Sequence, residues 1–232
     1  MGLSFGRRRA VYHDIVETLK AQTGEAERVP LSEAERRQFE ALDLVYRSLC
    51  ALLYNYVPTS GHPGGSISSG RFVEALLFDS LDYDLGRPDR PDADIISYAA
   101  GHKAMGLYSI WALRDEVARQ GDASLLPEPA RQRLRLEDLL GFRRNPITDT
   151  PLFVKHGAKP LDGHPTPATP FVWLSTGASG VGVASSIGLA MGARDHFGAD
   201  APRVHVVEGE GGLTPGRVAE ALAAAGTASL GN

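Results

Sequence analysis

Apolar residues recur along this chain in two rhythms, and each predicts a different kind of element. From Ser32 to Pro58 they return at helical spacing, with Phe39, Leu42, Leu44, Val45, Leu49, Leu52 and Leu53 set among charged positions. Steps of three and four residues gather such side chains on one side of an α-helix. Ser32 with Glu35 three residues later is a capping box that starts this helix, and Pro58 stops it. Shorter helical patterns cover Arg8 to Lys20, with Val11, Ile15, Val16 and Leu19 on one face. Others run from a Ser68 or Ser69 cap through Phe72, Leu76 and Leu77, and over Ala104 to Ala118, Leu134 to Phe142, Val183 to Phe197 and Pro215 to Ala225. Two apolar runs are short and continuous instead, Asp94 to Ala99 and Val204 to Val207. Runs of that length read as buried strands. Each leads through a glycine turn into a helix, the alternation of a parallel sheet with helical crossovers. The expected fold class is α/β, a doubly wound parallel sheet with helices on both faces.

Between Gly121 and Pro170 the periodicity fades into a proline-rich segment with Pro146, Pro151, Pro160, Pro165, Pro167 and Pro170. A connection this long in a compact domain usually carries function or lacks order. The aromatic-rich fragments Leu152-Phe153-Val154 and Phe171-Val172-Trp173 suggest that it packs on the core. The helix from Val183 is rich in Ala and Gly, which implies close approach to another backbone.

Composition narrows the function classes. The 232 residues suffice for one substantial core, and 43% hydrophobic with 22% charged residues is the balance of a soluble globular protein. A formal net charge of −4 supplies no basic field for nucleic acid or an anionic membrane. The single cysteine, Cys50, gives no disulfide framework and fits a cytoplasmic location. No stretch approaches the roughly 20 apolar residues of a membrane span. The 26 glycines gather at four places, and those are where chemistry is expected.

The last of them, Gly209-Glu210-Gly211, follows a strand and precedes a helix. Turns so placed hold phosphates, because backbone N–H groups approach the anion closely. A carboxylate there repels a phosphate unless a cation lies between, so Glu210 points to a divalent metal carrying a diphosphate. Glu208, two positions earlier, falls on the same side if the strand continues. Three histidines sit at element-to-loop transitions: His62 in SGHPGG, His102 in AGHKA and His164 in DGHPT. Side chains at such transitions reach into clefts. Their spacing matches no metal-binding pattern.

These motifs, in this order, resemble the transketolase family, specifically its thiamine diphosphate-binding half. SGHPGGS is similar to the family's first motif, Gly101-His102 after a strand to its second, and Gly163-His164-Pro165 to its third. Thr176 to Gly182 looks like the T-G-x-x-G-x-G segment, Gly209-Glu210-Gly211 like the Gly-Asp-Gly of the cofactor signature, and Glu220 like an acidic position on the next helix. The likeness runs from about Leu31 to Asn232. It implies that thiamine diphosphate binds through Mg²⁺ or Ca²⁺, with Glu210 as a metal ligand and Gly209 and Gly211 around it. His102 would touch the diphosphate, and the backbone at Gly177, Ala178 and Ser179 would meet the aminopyrimidine ring. His62, His102 and His164 form the implied catalytic set, with His62 and His164 lining the substrate channel, bonding ketose hydroxyls and helping to move protons, work that suits neutral imidazole. The implied reaction is transfer of a two-carbon ketol unit between sugar phosphates.

The sequence departs from the family at Glu210, where Asp is usual, at Pro215, where an acid is usual, and at Val181, where Gln is common. The segment between His102 and His164 is also longer. A second metal ligand on a following strand, and the acid of a separate pyrimidine-binding domain, are not in the chain. Residues 1–30 are therefore expected to form a helical arm, and 31–232 a cofactor domain incomplete at its C-terminal end. By itself it would be inactive, needing a pyrimidine-binding domain or C-terminal subunit in a homo- or hetero-oligomer. A 2-oxoacid (pyruvate) dehydrogenase-type component and a non-catalytic subunit of the same fold are the alternatives.

Overall fold

A computed structural model describes residues 31–56, 62–128, 130–143 and 150–232. The expected N-terminal arm with its Arg8 to Lys20 helix, Pro58 and the opening of the second glycine cluster lie outside them.

Helix α1 (Glu33–Tyr56) starts as its sequence predicts. The Ser32 hydroxyl accepts from Glu35 N at 3.2 Å, and the Glu35 carboxylate accepts from Ser32 N at 2.9 Å. Two N–H groups that the helix cannot satisfy internally are thus paired. Its buried stripe is Leu42, Tyr46, Cys50 and Leu53, while Leu44, Val45 and Leu52 point outward. The apolar residues therefore divide between two faces, and only the first meets the core.

Helix α2 (Pro63–Ala75) begins several residues before the serine cap that the sequence suggests. Proline at the first helical position loses no hydrogen bond, so the helix can start directly after His62. Ser68 and Ser69 lie inside it, bonding back to the Gly65 carbonyl. A π-helical turn, Leu76–Ser80, closes it.

Strand β1 (Ile95–Ser97) pairs in parallel with β2 (Val204–Val206), with Ile95 opposite Val204 and Ser97 opposite Val206. Ladder bonds extend to Val207 and Ala100, so both chains stay extended up to their turns. Among the described residues the parallel sheet has these two strands. On the far edge of β2, Val204 N donates to the Asn232 carbonyl at 2.9 Å.

Helix α3 (Ala104–Gly121) is the centre of the core, buried without interruption from Ala104 to Leu113. It packs against α1 and α2. It also anchors the proline-rich segment. Tyr108 Oη donates to the Asp162 carbonyl at 2.8 Å, Trp111 Nε1 to the Pro170 carbonyl at 2.9 Å, and the Arg114 guanidinium lies 4.1 Å from the Phe171 ring centre. Phe171 and Val172 pack on the core as expected, whereas Trp173, the third residue of that fragment, is exposed. The other fragment forms the short helix α4 (Pro151–Lys155), whose Leu152 and Val154 are exposed. A 3₁₀ turn at Leu136–Gly141 stands where a short helix is predicted.

Helix α5 (Val181–Phe197) approaches the chain just beyond β1 closely, since a Cβ on Gly182 would fall 2.5 Å from Ala99 Cα. Helix α6 (Gly216–Thr227) follows a 3₁₀ turn at Glu210–Leu213, with Pro215 just ahead of its first turn. No helix among the described residues is long and apolar enough to cross a membrane.

Candidate functional site

Both strands end at the same side of the sheet, and the turns that follow them carry His102 and the Gly209-Glu210-Gly211 motif. In open α/β sheets this carboxyl edge is where ligands bind. After β1 the chain runs through Ala99 and Ala100 into Gly101-His102-Lys103, a 3₁₀ turn that leads into α3. After β2 it runs through buried Val207 to Glu208, Gly209 and Glu210.

The three histidines converge. His62, just ahead of α2, meets His102 with ring centres 5.1 Å apart in an edge-to-face arrangement. A Cβ on Gly101 would fall 2.5 Å from Gly177 Cα and 2.8 Å from His164 Cδ2. The turn after β1 and the loop at Gly177 therefore touch backbone to backbone, with the His164 ring lying against both. Gly177 has φ +140°, a conformation that side chains other than glycine's rarely adopt. Gly65 of the first motif faces His102 Nε2 and the Lys103 stem, at 3.5 and 3.3 Å from where its Cβ would be. All three imidazoles keep an exposed face.

The remaining predicted residues form the rim. Ala178 and Ser179 are exposed on the loop before α5, and Val181 N bonds back to the Ala178 carbonyl at 3.1 Å. Gly180 packs against Pro215 and Val218, which ties this loop to the start of α6. Glu210 is exposed at the head of its turn, and both Gly209 and Gly211 have open space where a side chain would be.

Lys103, Thr176 and Glu208 stand beside these turns as well. Lys103 is buried and its Nζ donates to the Glu208 carbonyl at 3.2 Å, joining the two turns. Its position directly after His102 was the available signal, but its burial is not visible in the sequence. Thr176 has a buried hydroxyl without a partner. Glu208 curls back over its own turn, so that Oε1 accepts from Gly209 N at 2.8 Å while Oε2 is buried and unpaired.

Crowding sets the charge of His102. Burial of its inner edge, then the neighbouring His62 and Lys103, push its pKa below the ordinary imidazole value of 6.5, against the opposing pull of Glu208. It is therefore neutral at pH 7 and able to accept a proton or a hydrogen bond. A separate pocket of about 390 Å³, walled by Pro88, Phe171 and Trp173 among others, touches none of these residues.

The chain is 30% identical over 173 residues to the transketolase of Mus musculus, covering 75% of this chain and 23% of that protein. Its fold superimposes on the crystal structure of transketolase from Campylobacter jejuni with a TM-score of 0.63 and 27% identity, over 83% of this chain and 26% of the other. This chain is related to the N-terminal portion of the transketolases. It is also 30% identical over 176 residues to one of the subunits of the apulose-4-phosphate transketolase of Actinobacillus succinogenes, 75% of this chain and 52% of that protein. It thus spans about a quarter of the length of the transketolases and about half of that smaller relative. No family model matches the chain.

The transketolase family implies thiamine diphosphate and a divalent metal. Polar groups suited to the organic cofactor are present: adjoining imidazoles, glycine turns that leave backbone accessible, and the unpaired Thr176 hydroxyl. For the metal, no group of three or more His, Cys, Asp or Glu that could hold an ion is found among the described residues. Glu210, the carboxylate that the family resemblance points to, stands exposed at the head of its turn. One carboxylate disturbs the fit: Glu208 already occupies the amide of Gly209.

Proposed function

We propose that this chain is the diphosphate-binding part of a thiamine diphosphate-dependent transketolase that moves a two-carbon ketol unit between sugar phosphates. The observation that carries this is the grouping, around the turn after β1, of His62 against His102 and of His164 against the Gly101–Gly177 contact. Glu210 would hold Mg²⁺ or Ca²⁺, flanked by the backbone of Gly209 and Gly211. His102 would bond the diphosphate, and the backbone of Gly177, Ala178 and Ser179 would meet the aminopyrimidine.

Thiamine diphosphate, when bound, supplies the electron sink needed to break the ketose carbon–carbon bond. The protein's part is to position and to move protons. His62, set against His102, and His164, set against Gly101 and Gly177, would bond the sugar hydroxyls and accept the proton that must leave a hydroxyl as the bond breaks. The depressed pKa of His102 keeps it uncharged beside Lys103, so it can donate one N–H to an anion without carrying a formal charge itself.

Activity would need the pyrimidine-binding part, supplied by a partner chain or a C-terminal region. A relative whose name marks it as one of the subunits of a transketolase supports a two-chain arrangement. The test is reconstitution with such a part, followed by assay of ketose phosphate with an aldose phosphate acceptor, and separately of pyruvate. Ketol transfer that falls at least about a hundredfold in His62→Ala or His164→Ala is the expected result. Turnover of pyruvate alone would assign the chain to the 2-oxoacid dehydrogenases instead.

A further inference from the structure

The turn expected to receive a diphosphate already contains an anion. Glu208 leaves the end of β2 and folds its side chain back, so that its carboxylate lies flat against Gly212. A Cβ on Gly212 would fall 2.2 Å from Glu208 Cδ and 2.3 and 2.4 Å from its two oxygens. Oε1 takes the N–H of Gly209 at 2.8 Å, and Oε2 is buried with no partner. The Glu208 main-chain oxygen is held by Lys103 Nζ, which fixes the base of the side chain. A carboxylate that bonds backbone N–H in a glycine turn does what a phosphate oxygen does in the same place.

We infer that Glu208 is an internal competitor for the diphosphate, and that binding requires its carboxylate to be displaced from the turn. This rests on the thiamine diphosphate reading above. The alternative, Glu208 as a second metal ligand, predicts the opposite sign, because a ligand's loss weakens binding. The geometry favours competition. Oε1 is committed to Gly209, and the two-residue spacing leaves Glu210 outside in solvent while Glu208 turns inward. Gly212 alone admits the carboxylate, and Gly212 has no left-handed φ that would forbid a larger residue.

The experiment uses the whole chain with three variants, Glu208→Ala, Glu208→Gln and Gly212→Ala. The last pushes the carboxylate out without changing charge. Without ligand, the Gly209 amide resonance is expected to shift in Glu208→Ala and Gly212→Ala. An unmoved resonance would show that the carboxylate never held that N–H, and would overturn the inference whatever the cofactor does. Calorimetric titration with Mg²⁺–thiamine diphosphate and Mg²⁺–inorganic diphosphate follows. The expected result is affinity roughly tenfold higher in Glu208→Ala, with a smaller gain in Glu208→Gln, where the neutral side chain can still fill the turn. Equal, measurable binding in wild type and variants would overturn the competition and leave the cofactor reading standing. Weaker binding in both Glu208 variants would make Glu208 a ligand and overturn the competition as well. No binding of either probe to any form would remove the cofactor reading and this inference together.

Discussion

An imidazole pressed between a second imidazole, a lysine stem and a glycine wall does not titrate as a free one. His102 is pushed down first by burial and then by His62, and pulled up by Glu208. Each neighbour therefore has a predicted sign. An NMR titration is expected to place the His102 midpoint below 6.5, to raise it in His62→Ala, and to lower it further in Glu208→Ala. A midpoint unmoved by either substitution would mean that these groups do not share one site. Gly101 tests the same junction sterically. Its Cβ would collide with Gly177 backbone rather than with a side chain able to swing away, so Gly101→Ala is expected to cost on the order of 3 kcal/mol and to lower the melting temperature. Gly211→Ala, with nothing within 4 Å, is the control expected to leave it unchanged.

At the scale of elements, α2 connects the core to the site, carrying His62 just before its first turn and buried Glu74 near its end. Burial, and secondarily the nearby Asp43, raise the Glu74 carboxyl from 4.5 to about 7, while Arg71 and Arg47 oppose this more weakly. The sign follows from proton uptake. The folded chain holds this proton between about 4.5 and 7 and the unfolded chain does not, so the contribution is fully present below about 4.5 and lost as pH rises to about 7. Denaturant unfolding of wild type minus Glu74→Gln should show a difference of on the order of 3 kcal/mol developing across that interval. A flat difference would place the carboxyl in contact with water. The elements were unequally legible in the sequence. The Ser32–Glu35 cap and both strands followed from local chemistry, because a capping box and a short apolar run act through near neighbours. The start of α2 did not. Pro63 permits a helix to begin at once, and the serines that advertised a later cap bond to the helix they lie in.

For the whole molecule, the order of glycine and histidine motifs revealed the family; two of the motifs mark the turns after the paired strands, and the loops bearing the others pack against the first of these turns. That His62, His102, His164 and Gly177 would lie near one another was foreseeable from the motifs alone. Lys103 and the inward fold of Glu208 were not, since burial and side-chain direction depend on how distant turns meet. Among the described residues the sheet has two strands, and the chain spans about a quarter of the length of a transketolase, so under the proposed function its site would be one wall of a larger one. That wall should still recognise its ligand. The most direct test is calorimetric titration of thiamine diphosphate into the wild-type chain and into Glu210→Ala, each with Mg²⁺ and after its removal by chelation. The expected result is binding that requires the metal and is weakened at least tenfold by loss of the Glu210 carboxylate. Binding indifferent to both metal and Glu210, or no binding in any form including Glu208→Ala, would contradict it.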